Sequence, residues 1–338
     1  MGVYGLSAFI FSLLFKKKIQ SKISAKKMLI SSELLKLFGL ITLFSFNFTW
    51  IYCIAQILLG MSYSLGAGCD SNIIYEEFKE GASDFQAKSN SYMFNTLLIS
   101  GLLGSWLFER NINYPITATA ICTLIGIFSS AILIPDKKTN LSKISSIENE
   151  PIKLNLAEKK LILSYSFLRG IILSIFTGFL PYHFFVDLEI PTYYFILILT
   201  SYTLIGSISS KTLPRCKGNV LIFPTISLAI ALTGYFYNNI YTIVISTILL
   251  GISSGAIRPV VANSLKKDGH VSHCLDLAEK LYSIINVLFI FTGGFIYIIG
   301  GFSAILVLAI IILITYVILM NILNFIEKRK NNENFIRL

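Results

Sequence analysis

An all-α polytopic membrane protein, with about 11 transmembrane helices in two pseudo-symmetric bundles, is predicted by three observations on this sequence. The first is composition. Of its 338 residues 54% are hydrophobic and only 14% charged, with a mean hydropathy of +0.72. A soluble domain carries roughly 25% charged residues. A water-soluble globule of this size cannot hide so much apolar surface, so the bilayer is the expected solvent. The second is a succession of apolar runs, most of them near the ~20 residues that cross a hydrocarbon core. The third is the alternation of Lys and Arg between successive connections, which sets a topology.

The runs justify themselves in order. Val3–Phe15 is too short to span comfortably and reads as the back half of a helix. Six lysines follow it: Lys16, Lys17, Lys18, Lys22, Lys26 and Lys27. Met28–Phe48 and Trp50–Ile74 come next, then a connection holding Lys79 and Lys88. Tyr92–Phe108 and Tyr114–Ile134 are separated by the short Asn111–Asn113. The long polar stretch Pro135–Lys160 carries Pro151 and Lys137, Lys138, Lys143, Lys153, Lys159 and Lys160. Leu161–Leu180 and Tyr193–Ile208 precede a connection with Lys211, Arg215 and Lys217. Val220–Tyr237 and Ile240–Leu265 are joined by Asn238-Asn239, and Lys266, Lys267 and Lys280 follow. Leu281–Ile299 and Phe302–Phe325 flank Gly300-Gly301, and the tail holds Lys328, Arg329, Lys330 and Arg337. The even-numbered connections hold only Arg110. The odd connections and the C-terminus are therefore expected in the cytoplasm. The domain reading is an N-terminal bundle over 1–134, a cytoplasmic linker over 135–160, a six-helix bundle over 161–325 and a cytoplasmic tail over 326–338.

The net charge of +10 is absorbed by this topology, and no nucleic-acid partner is expected. Cys53, Cys69, Cys122, Cys216 and Cys274 show no C-x-x-C spacing, so neither disulfides nor zinc are expected. The start lacks a basic n-region and a small-residue cleavage site, and Leu6 breaks the myristoylation pattern. No P-loop, G-x-S-x-G or H-E-x-x-H occurs, which argues against an ATP-driven pump or a membrane protease. No catalytic residue, cofactor or metal is expected.

An internal echo adds symmetry. Ile57–Ser62 reads I-L-L-G-M-S, and Ile248–Pro259 reads I-L-L-G-I-S-S-G-A-I-R-P. The copies lie in the third and ninth runs, six apart, as a duplicated six-helix unit of a secondary transporter would place them.

Further letters carry a family resemblance. Ala67–Glu76, A-G-C-D-S-N-I-I-Y-E, is similar to the S-G-A-D-x-A-L-L-Y-D signature ending the fourth helix in a bacterial subgroup of the major facilitator superfamily. Gly68, Asp70 and Tyr75 match it, and Glu76 stands for its final Asp. Ala256–Pro259 with Asn263 resembles that subgroup's tenth helix. In this register the family's first helix is missing. The first-loop pattern G-x-L-A-D-R-x-G-R-K falls on Lys17–Lys26, where Ser21 replaces the Asp and Lys17 and Ser24 the glycines. The fourth-helix Arg of proton-driven exporters falls on Gln56, and His273-Cys274-Leu275 stands where R-A-T would begin.

The resemblance implies a fold of the major facilitator type in the plasma (inner) membrane, with the substrate site in a cavity between two bundles. It implies alternating-access transport of a small organic solute, drug-like efflux included, coupled to H+ or Na+. Two alternatives stay open: an incomplete, transport-inactive relative, and a membrane-embedded transferase. The transferase would need clustered carboxylates and histidines at the midplane or the membrane interface.

Candidate residues follow from the cost of charge in a bilayer, which makes an intramembrane ionisable group functional by default. Arg169 lies near the middle of its run and is expected to bind substrate or a carboxylate, or to form a bundle salt bridge. Gln56, Tyr63 and Tyr202 complete the expected polar lining. Glu33, Asp70 and Glu109 are the carboxylates within reach of Arg169, and none matches its depth, so solvent or substrate is expected as its partner. Arg258, one residue before the helix-weakening Pro259, is expected to be structural or gating. Glu33 and Lys36 share a helix face and should pair. Asp70 is expected to tie helices at the cytoplasmic mouth. The glycine stripes Gly60, Ser64, Gly68 and Gly251, Gly255 read as packing devices. His183, Asp187 and Glu189 read as an outer loop. His270, His273, Cys274 and Asp276 have no second ligand pair, and no metal is expected there.

Overall fold

The computed structural model describes residues 2–20, 22–45, 48–78, 82–134, 154–215, 221–265 and 271–336, and every regular element among them is a helix. The linker as far as residue 153, Ser21, Lys79, Lys217 and His270 lie outside the described residues, as do the side chains of Tyr75, Glu76, His273 and Asp276.

Helix α1 (Gly2–Phe11) continues through a π turn, Ser12–Lys16, and a last turn, Lys17–Gln20. Then come α2 (Ala25–Ser45), α3 (Thr49–Gly66), α4 (Cys69–Phe78), α5 (Ala82–Arg110) and α6 (Asn113–Leu133). Helix α7 (Leu156–Leu173) runs on through further π and α turns to Asp187. It is followed by α8 (Thr192–Thr212), α9 (Ile222–Gly234) and α10 (Ile240–Leu265). The remainder, Val271–Ile336, is broken only at Gly301, giving α11 (271–300) and α12 (302–336). Four described stretches are long and apolar enough to cross a membrane: Asn113–Leu133, Leu156–Asp187, Ile240–Leu265 and Leu277–Glu327.

Several boundaries differ from the hydropathy reading, the early start of α5 at Ala82 among them. The run Trp50–Ile74 is two helices, because Gly68 adopts φ +82° and ends α3 in the left-handed conformation that glycine tolerates. Gly68 therefore belongs to a break and not to the packing stripe. Helix α7 starts upstream of its apolar run because Asn155 and Glu158 form a capping box, with Asn155 Oδ1 accepting from the Glu158 amide at 2.7 Å. Helix α11 also begins early, which puts Glu279 and Lys280 inside a helix.

The chain forms two compact units. Unit 1 comprises Met1–Gln86, Asn95–Ile152 and Thr192–Leu199; unit 2 comprises Ala87–Phe94, Lys153–Pro191 and Thr200–Leu338. In unit 1, α3 packs on both α1 and α2, and α6 packs on α2. Ser32 and Ser62 each donate to the other's carbonyl oxygen at 2.8 Å, so α2 and α3 meet through a reciprocal polar clasp. Buried Lys16 donates to the Ala67 carbonyl at 2.9 Å, satisfying the C-terminal end of α3 where its orphan carbonyls gather. In unit 2, α7 packs against the 271–336 segment and α10, and α9 packs on α10.

The echoed glycines do the same work in each unit. A Cβ on Gly60 would collide with the Tyr4 carbonyl and the Ser7 hydroxyl of α1. One on Gly251 would lie 2.6 Å from the Tyr202 carbonyl of α8. Each I-L-L-G motif thus lets its helix approach the backbone of the helix two apolar runs earlier. Gly255 repeats the contact one turn on, against the Gly206 carbonyl.

Candidate functional site

The polar centre of unit 2 is built on α7. Its capping box fixes where the helix starts, and Tyr165 and Arg169, four residues apart, then share one face. Ser166 donates to the Ala278 carbonyl at 2.9 Å, and Gly170 leaves space only for the Ile285 side chain. These small residues bring α7 and α11 close enough for Arg169 Nη1 to reach Glu279 Oε1 at 3.1 Å. Tyr165 donates its hydroxyl hydrogen to the same carboxylate oxygen and accepts from Arg169. The guanidinium also lies 5.2 Å from the ring centroids of both Tyr165 and Tyr282, a cation–π arrangement on two sides.

Burial sets the energetics. The Glu279 side chain is 9% exposed and Arg169 21%, while Tyr165 is fully buried. Removing one partner from such a pair strands the other charge, a loss of about 3–5 kcal/mol, whereas replacing both with apolar groups is often neutral. Arg258 on α10 lies within electrostatic reach of Tyr165, and Tyr202 on α8 within reach of Arg169. Tyr202 stacks on Phe176 with ring centroids 3.8 Å apart and donates to Ser254 Oγ at 2.6 Å.

Of the sequence-predicted residues, Arg169, Tyr202 and Arg258 all lie in unit 2. Gln56 and Tyr63 lie on α3 of unit 1, where the Tyr63 ring is 6.0 Å from that of Tyr4. Glu33 and Lys36 pair with each other at 3.2 Å. Asp70 heads α4 just past the Gly68 break, where the helix dipole favours a carboxylate.

The expectation that solvent or substrate is the partner of Arg169 is corrected by the Glu279 contact. Glu279 escaped the sequence reading because the polar pair Glu279-Lys280 ended the apolar run, while the helix continues through it. Tyr165 carried a usable signal, its four-residue spacing from Arg169.

A second polar cluster closes the far end of α7. His183 is 5% exposed, so the expected solvated loop is instead a π-helical extension of α7. Its Nδ1 lies 2.8 Å from Asp187 Oδ2, and its ring stacks on Phe302 at 4.1 Å. The Tyr297 hydroxyl donates to the same Asp187 oxygen.

The family model of the Major Facilitator Superfamily matches residues 1–263. No curated protein matches this chain in sequence. Among solved structures, a bacterial homologue of the iron transporter ferroportin in an outward-facing state is similar, at TM-score 0.62 and 15% identity over 95% of this chain and 88% of that one. The same homologue with soaked iron gives 0.61 and 14%, over 96% of this chain and 88% of that one. The human organic anion transporter MFSD10 (TETRAN) gives 0.67 and 11%, over 94% and 83%. At these identities the likeness is one of fold.

Proposed function

We propose that this chain, which belongs to the Major Facilitator Superfamily, is a secondary-active transporter of a small organic solute that presents a carboxylate or carbonyl oxygen. The chain is a multi-pass membrane transport protein. The finer reading rests on one observation, the grip of Arg169 on Glu279 near the middle of the Leu156–Asp187 span.

A guanidinium has five N–H donors in a planar fork, shaped for carboxylates. Glu279 offers that chemistry from within the protein. A solute carboxylate is its chemical equivalent, so binding is an exchange: the solute takes the arginine and Glu279 gives it up. Two states that differ in the partner of Arg169 supply the differential contact that alternating access requires. The gradient of H+ or Na+ drives the cycle. Tyr202, stacked on Phe176 and anchored to Ser254, lines the solute's path within unit 2. Arg258 tunes the cluster through Tyr165. The Lys and Arg alternation supports a plasma-membrane orientation with the C-terminus in the cytoplasm and a boundary between bundles at 135–160.

Counterflow in proteoliposomes tests this. A panel of radiolabelled monocarboxylates, with their amides and alcohols as controls, should show exchange of carboxylates and lower exchange of amides. Alcohols should show none. Arg169→Lys should keep the folded protein and lower carboxylate exchange about tenfold or more, since an ammonium lacks the bidentate fork. Equal transport of alcohols and carboxylates, or wild-type exchange in Arg169→Lys, would overturn the reading.

A further inference from the structure

Beyond Arg169, α7 meets α11 through a second polar contact: Ser174, fully buried, donates to Asn286 Oδ1 at 2.7 Å. On the reading that Arg169 exchanges Glu279 for a solute carboxylate, we propose that Asn286 is the second grip on the solute. Its carboxamide N–H groups donate to an oxygen remote from the carboxylate that Arg169 holds. The solute class narrows to carboxylic acids that carry a second acceptor oxygen, keto or carboxylate.

Helix geometry places the two grips on one surface. Glu279, Tyr282 and Asn286 are spaced three and four residues apart on α11, so they share a face. That face meets α7, with Glu279 and Tyr282 at Arg169 and Asn286 at Ser174. Gly170 allows the approach, since a Cβ there would lie 2.7 Å from the Ile285 side chain and 3.9 Å from the Asn286 backbone nitrogen. The guanidinium is 5.2 Å from the Tyr282 ring centroid. Asn286 follows Tyr282 by one turn, about 6 Å along the helix. A short keto acid or dicarboxylate bridges that interval.

Asn286 also holds donors that the fold leaves uncommitted. Ser174 occupies its Oδ1, which fixes the carboxamide and turns Nδ2 away from that hydroxyl. Among the described residues Nδ2 has no hydrogen-bond partner, and Asn286 is partly exposed. The neighbouring hydroxyls are committed to helix carbonyls: Ser283 donates to Glu279, Thr177 to Leu173 and Ser166 to Ala278. A hydroxyl has one hydrogen to give, whereas a carboxamide has two. Uncharged N–H donors select an acceptor oxygen and gain nothing from a methylene. The turn Ser174–Phe179 that positions this contact is π-helical, and it also presents Phe176 to Tyr202. Such turns recur at functional sites.

The test is counterflow in proteoliposomes of the full chain, with levulinate and pentanoate compared. These acids have the same chain length and differ by a keto oxygen. The wild type should exchange levulinate about five- to tenfold faster than pentanoate, the effect of one hydrogen bond. Asn286→Leu should bring that ratio near one. Asn286→Asp still accepts from Ser174 but offers no N–H, so it should lower the ratio as far, and it serves should Asn286→Leu fail to fold. Equal exchange of the two acids by the wild type, or an unchanged ratio in the folded variants, would overturn the proposal and leave the Arg169 reading intact. Loss of both acids together in Asn286→Asp would make Asn286 structural and overturn it too. Exchange of neither acid by the wild type would overturn the Arg169 reading, and this proposal with it.

Discussion

Arg169 on α7 and Glu279 on α11 are held 3.1 Å apart, with Tyr165 hydrogen-bonded to both. The contact joins two helices that lie far apart in sequence, and it is buried enough for its charges to depend on each other.

The first prediction concerns that dependence. Arg169→Leu alone strands Glu279 and should destabilise the protein by about 3–5 kcal/mol. The double variant Arg169→Leu with Glu279→Leu should recover most of the loss. Thermal unfolding in detergent, run on both single variants and the double, measures the coupling. Additive effects in the cycle would mean that the two groups do not share a site.

A second prediction concerns the echoed glycines. Gly251→Val drives a branched side chain into the Tyr202 backbone, and Gly60→Val does the same against Tyr4 and Ser7. Each should cost about 1–3 kcal/mol or more, because packed backbones cannot yield the space. Gly104→Ala, where a Cβ meets nothing within 4 Å, is the control and should be neutral or slightly stabilising. Unfolding temperatures that rank the control with the other two would contradict shared packing roles.

The third concerns the end of α7. His183 is buried, stacked on Phe302 and bonded to Asp187. Asp187→Ala removes the acceptor that serves both His183 and Tyr297, leaving two donors to find new partners. A loss of about 1–3 kcal/mol is expected. Hydrogen exchange should rise around His183–Asp187 before it rises elsewhere in α7. Uniform exchange along α7 would show that the cluster does not secure this end.

A fourth tests orientation. A reporter fused after Leu338 should read cytoplasmic and one inserted at Asn238 external, as the Lys and Arg alternation requires. Both reporters on one side would contradict that topology.

Most of the helical architecture was legible because membrane spanning imposes a length and an apolar composition on each helix. What hydropathy could not show were boundaries set by polar or conformational detail. Gly68 reads as one more small residue until its positive φ ends α3. Asn155 and Glu158 begin α7 inside what reads as linker. The site was half legible for the same reason. Arg169 stands out as a charge in an apolar run, while Glu279 hides beside Lys280 at an edge that hydropathy assigns to a loop. The pairing of α7 with α11 is a tertiary fact, carried by Ser166 and Gly170, and no local pattern announces it.

The measurement closest to the central claim is carboxylate counterflow in proteoliposomes of the Arg169→Leu, Glu279→Leu double variant, alongside its unfolding temperature. If Arg169 exchanges Glu279 for a solute carboxylate, the double variant should be folded near wild-type stability and show no carboxylate counterflow above empty vesicles. Wild-type counterflow from that folded double variant would show that the pair only holds α7 to α11, and would contradict the account.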